Sequence, residues 1–300
     1  MNASMQYCKP EVGKQEMKLE DMIEATRLVL VEQSYMDLAA EQCSYELLAF
    51  SAKQTKILID EEENPLCIAI GDDSSGWLGT CFLLHAPPIP LFEMLEEMEC
   101  EVYQEPRNKI EAAIREYYSV HLLASVTPAL EDLNENRVQL LRDLLHEYAE
   151  HLIGSSCLDC CCGSGVGSLV LREMGWNPIS FDNDEALLAR GFVSKRLDPS
   201  QTLCIDATKL CDFIDIPEKG VDLAFAFMVG EINNFSQNIW DDILDQIFFL
   251  STRAFLTVGT EEEARLIEEW AADAEKEVIV HENTRDILYD RWVCIVWDVE

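Results

Sequence analysis

Residues 157–167, Cys-Leu-Asp-Cys-Cys-Cys-Gly-Ser-Gly-Val-Gly, constrain the fold more than any other stretch of the chain. They have the pattern of a short buried strand that breaks into a glycine-rich turn and then into a helix. Glycine accepts positive φ angles and has no side chain, so Gly163 and Gly165 would let bare backbone approach a ligand. The stretch therefore predicts a ligand-binding turn at the carboxyl edge of a sheet, with Asp159 at the strand tip.

The strand, turn and helix pattern repeats after Gly167. A helix up to Gly175 is followed by a strand over residues 178–181 that ends in Asp182-Asn183-Asp184. A helix over 185–196 then leads to a third strand over 203–205, which ends in Asp206-Ala207. Three successive strands thus end in acids, and a carboxylate at the second tip can accept hydrogen bonds from both hydroxyls of a ribose.

Four more strands complete this half of the chain. Apolar runs predict strands over 221–229 and 254–258, and amphipathic helices over 235–249 and 261–272. Two closing strands over 277–280 and 292–297 bring the total to seven. The last helix before the glycine turn, over 132–151, is assigned to the same domain.

An acid at the strand tip followed four residues later by Gly-x-Gly resembles the first motif of the class I S-adenosylmethionine-dependent methyltransferases. The resemblance covers about residues 130–300. It implies an α/β fold with a seven-stranded, mostly parallel sheet, helices on both faces and an antiparallel last strand. It also implies S-adenosylmethionine as cofactor, with Asp206 accepting from the adenine amino group, and the cofactor-binding residues Asp159, Gly163, Gly165, Asp182, Asn183, Asp206 and Ala207.

Two positions depart from related patterns. Many members of the resembling family have glycine where this chain has Cys161, which implies a wider turn and a different hold on the methionine moiety. A dinucleotide-binding dehydrogenase would have Gly-x-Gly-x-x-Gly, but the sixth position counted from Gly163 is Ser168. The agreement of three acids at three strand tips favours the methyltransferase interpretation.

The residues after the fourth strand are the candidates for catalysis. Glu231 is the predicted general base and Asn233 a predicted orienting amide, with Asn234 as an alternative. Asp286, Tyr289 and Arg291 on the last loop are weaker candidates. The segment lacks the Asn or Asp followed by Pro-Pro that methyltransferases of amide and base nitrogens often carry, which argues against those substrates.

The first half carries no motif. We expect residues 1–128 to form a mainly helical cap or interaction domain and residues 129–300 the methyltransferase domain. Helical periodicity extends over 16–52, and further helices are expected over 91–105 and 107–125. Short apolar runs lie between residues 56 and 86, and their periodicity does not distinguish strands from buried helices.

Composition limits the partners and the location. The net charge of −35, from 57 acidic and 22 basic residues, is shared by both halves and argues against nucleic-acid substrates. No apolar run has the length of a membrane span, so no membrane partner is expected. The 12 cysteines, without a secretory leader in residues 1–30, indicate cytoplasmic thiols. Cys160, Cys161 and Cys162 are consecutive and cannot converge on one metal from a strand, so no metal site is predicted.

These observations leave three hypotheses. The first is methyl transfer to a small molecule or a protein side chain. The alternative is a non-catalytic cofactor-binding or scaffold protein with a methyltransferase-like fold. A weaker third is an aminopropyltransferase, which uses a related fold and the decarboxylated cofactor. Neither the acceptor atom nor the oligomeric state is indicated by the sequence.

Overall fold

The computed structural model describes residues 17–50, 54–96, 98–131, 133, 136–214 and 220–299. Within these residues the chain forms two compact units, residues 17–125 and residues 126–299. Residues 1–16, in which no secretory leader was expected, lie outside the described residues. So do residue 132, where the predicted helix over 132–151 starts, and residues 16, 51 and 52 of the predicted helical segment 16–52.

The first unit is built around a five-stranded sheet. The expectation of a mainly helical domain is therefore wrong. The strand order is β1-β4-β3-β2-β5, with β1 parallel to β4 and β2 parallel to β5. Its elements are α1 (Leu19–Met22), β1 (Leu28–Leu30), 3-10 helices at Tyr35–Ala39 and Glu41–Ala49, β2 (Gln54–Ile59), β3 (Pro65–Asp72), β4 (Gly76–Cys81), α2 (Ile89–Leu95), β5 (Glu99–Gln104) and α3 (Arg107–Ser125).

The physical reason for this correction is pairing between distant segments. The short apolar runs between residues 56 and 86 form β2, β3 and β4, and β3 is buried over six consecutive residues because it lies in the middle of the sheet. The segment 91–105, expected as one helix, is divided between α2 and β5, and β5 pairs in parallel with β2. Local periodicity cannot reveal a strand whose partner lies so far away. The predicted helix over 107–125 is confirmed as α3.

The second unit alternates strands and helices as the sequence predicted. Its elements are α4 (Arg137–Glu147), β6 (Cys157–Cys160), α5 (Val166–Glu173), β7 (Ile179–Asp182), α6 (Glu185–Val193), β8 (Thr202–Cys204), β9 (Leu223–Ala226), α7 (Gln237–Leu250), β10 (Arg253–Val258), α8 (Glu261–Asp273), β11 (Lys276–Glu282) and β12 (Trp292–Asp298).

The sheet of this unit has the strand order β11-β12-β10-β9-β6-β7-β8. Only β12 runs against the others, since it pairs antiparallel with both β10 and β11. The prediction of a seven-stranded, mostly parallel sheet with an antiparallel last strand is therefore confirmed. The chain runs outward from β6 through β7 to β8 and then returns to β9 on the other side of β6. In an open α/β sheet, ligands bind at the carboxyl ends of the strands where the order reverses in this way.

A layer of apolar side chains holds α4 and α5 against the sheet. Leu141, Leu144 and Leu145 of α4 pack with Val170 and Leu171 of α5. From the sheet, Leu223, Phe225, Phe255, Val293 and Ile295 belong to the same buried cluster. Because successive side chains on a strand alternate between faces, the neighbouring residues of β9 and β10 face the other side of the sheet. Helices α7 and α8 contact each other and β10. These helices fix the strand tips from which the site is built.

The five-stranded sheet predicts a specific pattern of stability in the first unit. Ile68 on β3 is fully buried, so Ile68→Ala should lower the free energy of unfolding of this unit by about 2 to 5 kcal/mol. Val29 on the edge strand β1 is 56% exposed, and Val29→Ala should cost less than about 1 kcal/mol. Hydrogen exchange of peptides from β2 to β4 in increasing urea measures both. Equal effects of the two substitutions would contradict the central position of β3.

Candidate functional site

The turn between β6 and α5 combines three left-handed residues. Cys161, Gly163 and Gly165 have φ angles of +51°, +52° and +80°. The Gly163 N–H donates to Oδ2 of Asp182 at 2.8 Å, and the Cys162 N–H donates to the Phe181 carbonyl at 2.9 Å. The turn that follows the Asp159 strand tip is therefore fastened to Asp182 at the end of β7.

The glycines of the turn have different roles. A Cβ at Gly163 would meet only Leu187 Cδ1, at 4.0 Å, so the space beside this residue is open. A Cβ at Gly165 would lie 2.5 Å from Leu197, and one at Gly167 would lie 2.3 Å from the Phe227 ring. Gly163 thus leaves room for a ligand, whereas Gly165 and Gly167 allow α5 to begin close to its neighbours.

A cavity of about 540 Å³ opens at this edge of the sheet. Six of the predicted cofactor-binding residues line it, namely Asp159, Gly163, Asp182, Asn183, Asp206 and Ala207. Gly165 does not line it and serves as the residue before α5. The volume falls within the range of about 300 to 1,000 Å³ that is typical of small-molecule sites.

Asp182 and Asp206 both orient backbone at the strand tips. Asp182 accepts hydrogen bonds from the N–H groups of Gly163 and Asp184, each at 2.8 Å, and its burial raises the pKa of the carboxyl group. Asp206 accepts through Oδ1 from the Thr208 N–H and hydroxyl. Each carboxylate oxygen has two acceptor sites, so both residues can also accept bonds from a ligand.

Asp159 is a buried acid at the centre of the site. It is 1% exposed and accepts a hydrogen bond from the Ser168 hydroxyl. Burial raises the pKa of Asp159 to about 7, with the Ser168 hydrogen bond and the charge of Arg137 opposing the rise. Asp159 therefore changes charge near neutral pH, which makes the site sensitive to a bound positive charge.

The segment after β9 forms an apolar wall of the cavity. Phe227, Met228 and Gly230 line it together with Trp240 and Ile239 of α7. Met228 has a φ angle of +57°, and its N–H donates to the Thr257 hydroxyl at 2.7 Å. This wall covers the side of the cavity opposite to Asp182 and Asp206 in the strand order.

The structure does not bring the two predicted catalytic residues into the cavity lining. Glu231 is exposed, and its carbonyl accepts from the Ser236 hydroxyl. Asn233 accepts through its side chain from the Phe235 N–H, which shapes the approach to α7. Their catalytic role stays a prediction. Of the weaker candidates, Asp286 is buried and Tyr289 lies with its ring 4.7 Å from the Arg137 guanidinium carbon.

Two charged residues of the lining were missed by the sequence analysis. Glu131 accepts a hydrogen bond from the hydroxyl of Ser164 and forms an ion pair with Arg196. Burial raises the pKa of Glu131, but these contacts outweigh burial and hold the pKa below its ordinary value. Arg137 begins α4 and lies on the same helix face as Leu141 and Leu144 by its spacing. A single cation at the end of an apolar stripe was the signal that could have marked Arg137.

The lining has the chemistry of a site for a polar, partly cationic ligand. It presents four acidic side chains, from Glu131, Asp159, Asp182 and Asp206, beside an apolar wall. Among the described residues, no group of three or more His, Cys, Asp or Glu side chains could hold a metal ion. Within the same part of the chain, none of the helices has the length and apolar character needed to cross a membrane.

The raised pKa of Asp159 predicts a pH dependence of stability. Between pH 4 and 7 the folded state keeps this proton while the unfolded chain loses it, so the free energy of unfolding falls as pH rises through this window. The free energy of unfolding should differ between pH 5.5 and pH 8, and Asp159→Asn should reduce that difference by about 2 kcal/mol. Glu269→Gln, at an exposed position, is the control. Urea unfolding at both pH values is the measurement. An unchanged pH dependence in Asp159→Asn would show that the residue is ionised throughout.

The left-handed conformation of Cys161 predicts which side chains the turn tolerates. Cys161→Gly should leave the free energy of unfolding unchanged or raise it by up to about 1 kcal/mol, because glycine adopts this φ without strain. Cys161→Val should lower it by about 1 to 2 kcal/mol, because a β-branched residue is strained there. Thermal and urea unfolding of both variants tests this, and equal stability would contradict the positive φ.

No protein-family model and no curated protein matches the sequence. Among solved structures, the chain is similar to the magnesium protoporphyrin IX methyltransferase of Synechocystis PCC 6803 with bound S-adenosylmethionine, at 14% identity and a TM-score of 0.43, covering 63% of this chain and 97% of that one. It is also similar to a methyltransferase of Clostridium acetobutylicum, at 11% identity and a TM-score of 0.43 over 56% and 94% of the chains. A TehB-like methyltransferase of Corynebacterium glutamicum gives 18% identity and a TM-score of 0.39 over 55% and 97%.

The topology of the second unit identifies its fold. The sheet has seven strands, β6 lies at its centre, and β12 alone is reversed between β10 and β11. A glycine-rich turn follows β6, and acids end or directly follow β7 and β8. This unit therefore has the fold of the class I S-adenosylmethionine-dependent methyltransferases.

Proposed function

We propose that the second unit binds S-adenosylmethionine in the cavity at the tips of β6, β7 and β8 and transfers its methyl group to a small molecule or a protein side chain. One observation carries this proposal. The glycine-rich turn and the acids Asp159, Asp182 and Asp206 line a single cavity at the point where the strand order reverses.

The residues of the cavity fit this cofactor. Asp182 and Asn183 would hold the ribose, and Asp206 with Ala207 would hold the adenine. Gly163 leaves open space in which the backbone of the turn can approach a ligand. The acidic side chains of the lining suit a ligand that carries a sulfonium and an ammonium group, since opposite charges attract strongly at a half-buried site.

When bound, S-adenosylmethionine supplies a methyl group that its sulfonium charge already activates. The protein then has to orient an acceptor and exclude water. The apolar wall of Phe227, Met228, Ile239 and Trp240 performs the second task and offers a surface to an acceptor with an apolar body. The overall negative charge disfavours a nucleic-acid acceptor, because it repels phosphates.

A cofactor-binding protein without turnover is the second candidate. The absence of Glu231 and Asn233 from the cavity lining among the described residues favours it, because neither side chain is placed to assist an acceptor. Formation of S-adenosylhomocysteine from labelled cofactor in a cell extract supplemented with the protein distinguishes the two functions. Product formation would support the enzyme, and tight binding without product would support the second candidate.

Binding of the cofactor itself is tested by calorimetric titration with S-adenosylmethionine and with NADH. Asp182→Ala should weaken the binding of S-adenosylmethionine at least about tenfold, because hydrogen bonds to a charged group contribute about 1.5 to 3 kcal/mol each. Asp245→Ala, an exposed acid on α7, is the matched control and should bind as the wild type does. Binding of NADH, or of neither ligand, would contradict the proposal.

A further inference from the structure

Exposed apolar side chains of the second unit are concentrated at the edge of the sheet where the cavity opens. Strands β6 to β11 all run in one direction, so the segments that follow them meet at this edge. Among the described residues of this unit, 11 large apolar side chains are exposed, and five of them are distributed over α6, α7, β11 and the opposite edge. The other six belong to this edge, and we call them the apolar rim: Leu130, Met228, Phe235, Ile239, Ile287 and Leu288.

The apolar rim is continuous with the lining of the cavity. Met228 and Ile239 line the cavity and are nevertheless 42% and 54% exposed, which places them at its mouth. Leu130 directly precedes Glu131, which lines the cavity and accepts from the Ser164 hydroxyl in the turn after β6. The cavity therefore opens between apolar side chains, although the acids lie inside it.

The last loop presents Ile287 and Leu288 on a fixed support. Oδ1 of the buried Asp286 accepts from the N–H groups of Leu288 and Tyr289, each at 3.0 Å, and thereby closes a turn. The Tyr289 ring centroid lies 4.7 Å from the guanidinium carbon of Arg137, which lines the cavity. Polar contacts thus hold the two apolar side chains outward beside the cavity.

Phe235 is presented by a second turn of the same kind. Oδ1 of Asn233 accepts from the Phe235 N–H at 2.9 Å, and Oγ of Ser236 accepts from the Asn233 N–H at 3.0 Å. Phe235 is 95% exposed, although a phenylalanine side chain gains much free energy from burial. Two separate turns hold apolar side chains in solvent at one edge, and exposed apolar surface of this kind marks a place where a ligand or partner binds.

The size of the cavity determines what covers the apolar rim. A volume of about 540 Å³ corresponds to one small-molecule ligand, and in the proposed function the cofactor takes this space. An acceptor then has to reach the methyl group through the mouth of the cavity. The body of the acceptor therefore lies on the apolar rim.

Charge and size restrict the acceptor further. The side chains next to the apolar rim include the acids Glu131 and Glu231, and the whole chain has a net charge of −35, so an anionic acceptor would be repelled. A protein acceptor would bring a largely polar surface of about 800 Å², which six apolar side chains around an opening do not match. We propose that the acceptor is a small amphipathic molecule whose apolar body lies on the apolar rim and whose uncharged or cationic polar end enters the cavity. The inference rests on the proposed function and chooses between the two acceptor classes that it allows.

The test is a fluorescence titration with N-phenyl-1-naphthylamine, an uncharged apolar probe whose emission rises in apolar surroundings, in the presence of saturating S-adenosylhomocysteine. Phe235→Ser and Leu288→Ser should each weaken the binding of the probe at least about threefold, because each removes part of the apolar contact, and the double variant at least about tenfold. Phe249→Ser is the matched control, since Phe249 is 74% exposed at the far end of α7, and it should bind the probe as the wild type does.

Displacement of the probe tests the polar end of the acceptor. Octylamine, octanol and octanoate have the same apolar chain and differ in carrying a cationic, an uncharged and an anionic end. Octylamine and octanol should displace the probe at concentrations at least about fivefold lower than octanoate, because the acids of the site repel an anion. Equal displacement by all three would overturn the charge selection that we infer.

The other outcomes separate the inference from the proposed function. An equal loss of probe binding in Phe249→Ser, or no loss in the variants of the apolar rim, would overturn the inference. A wild type that sediments as a dimer and a Phe235→Ser variant that sediments as a monomer would also overturn it, because a second copy would then cover the rim. If the wild type binds S-adenosylmethionine but not the probe, the inference fails while the proposed cofactor site stands. If it binds neither S-adenosylmethionine nor S-adenosylhomocysteine, the proposed function itself is wrong.

Discussion

The hydrogen bond between the Gly163 N–H and the Asp182 carboxylate connects the two features on which the site depends. It fastens the turn after β6 to the end of β7, so the position of one strand tip determines that of the other. The turn can follow this path only because Cys161, Gly163 and Gly165 adopt left-handed backbone conformations. Gly167 then allows α5 to start against Phe227, which brings the aromatic wall next to Asp159. Backbone geometry thus sets the position of the strand tips, and side chains supply the apolar wall and the charge of the cavity.

The second unit could be predicted from the sequence largely because its signals are local. Most strands of this unit are short apolar runs, each helix has its own periodicity, and the acids stand at fixed positions after the strands. Six predicted cofactor-binding residues line one cavity for this reason. Gly165 differs because the sequence cannot distinguish a glycine needed for contact with a ligand from one needed for contact with Leu197. The predicted roles of Glu231 and Asn233 rested only on their position after β9, and the conformation of that loop depends on contacts with Ser236 and Glu263.

The first unit was harder to predict because its order depends on pairing between segments far apart in the chain. Strand β5 has exposed residues and charged positions, and nothing in its own sequence indicates the parallel partner β2. Arg137 was missed for a related reason. Its meaning comes from Asp290 and Tyr289, which are brought to it by a loop about 150 residues later in the chain. Chemistry that arises between distant residues is not visible as a local pattern.

The reversed strand β12 has a consequence for the order in which the sheet can form. It lies between β10 and β11, so β11 has no neighbour within the sheet until β12 has been synthesised. During synthesis of the chain from its N-terminus, β6 to β10 can pair as they emerge, whereas β11 stays unpaired in the sheet and packs on the helix α8. Insertion of an interior strand at this late stage also brings Asp290 to Arg137. Completion of the surroundings of Arg137, which lines the cavity, is therefore tied to the last step of sheet assembly.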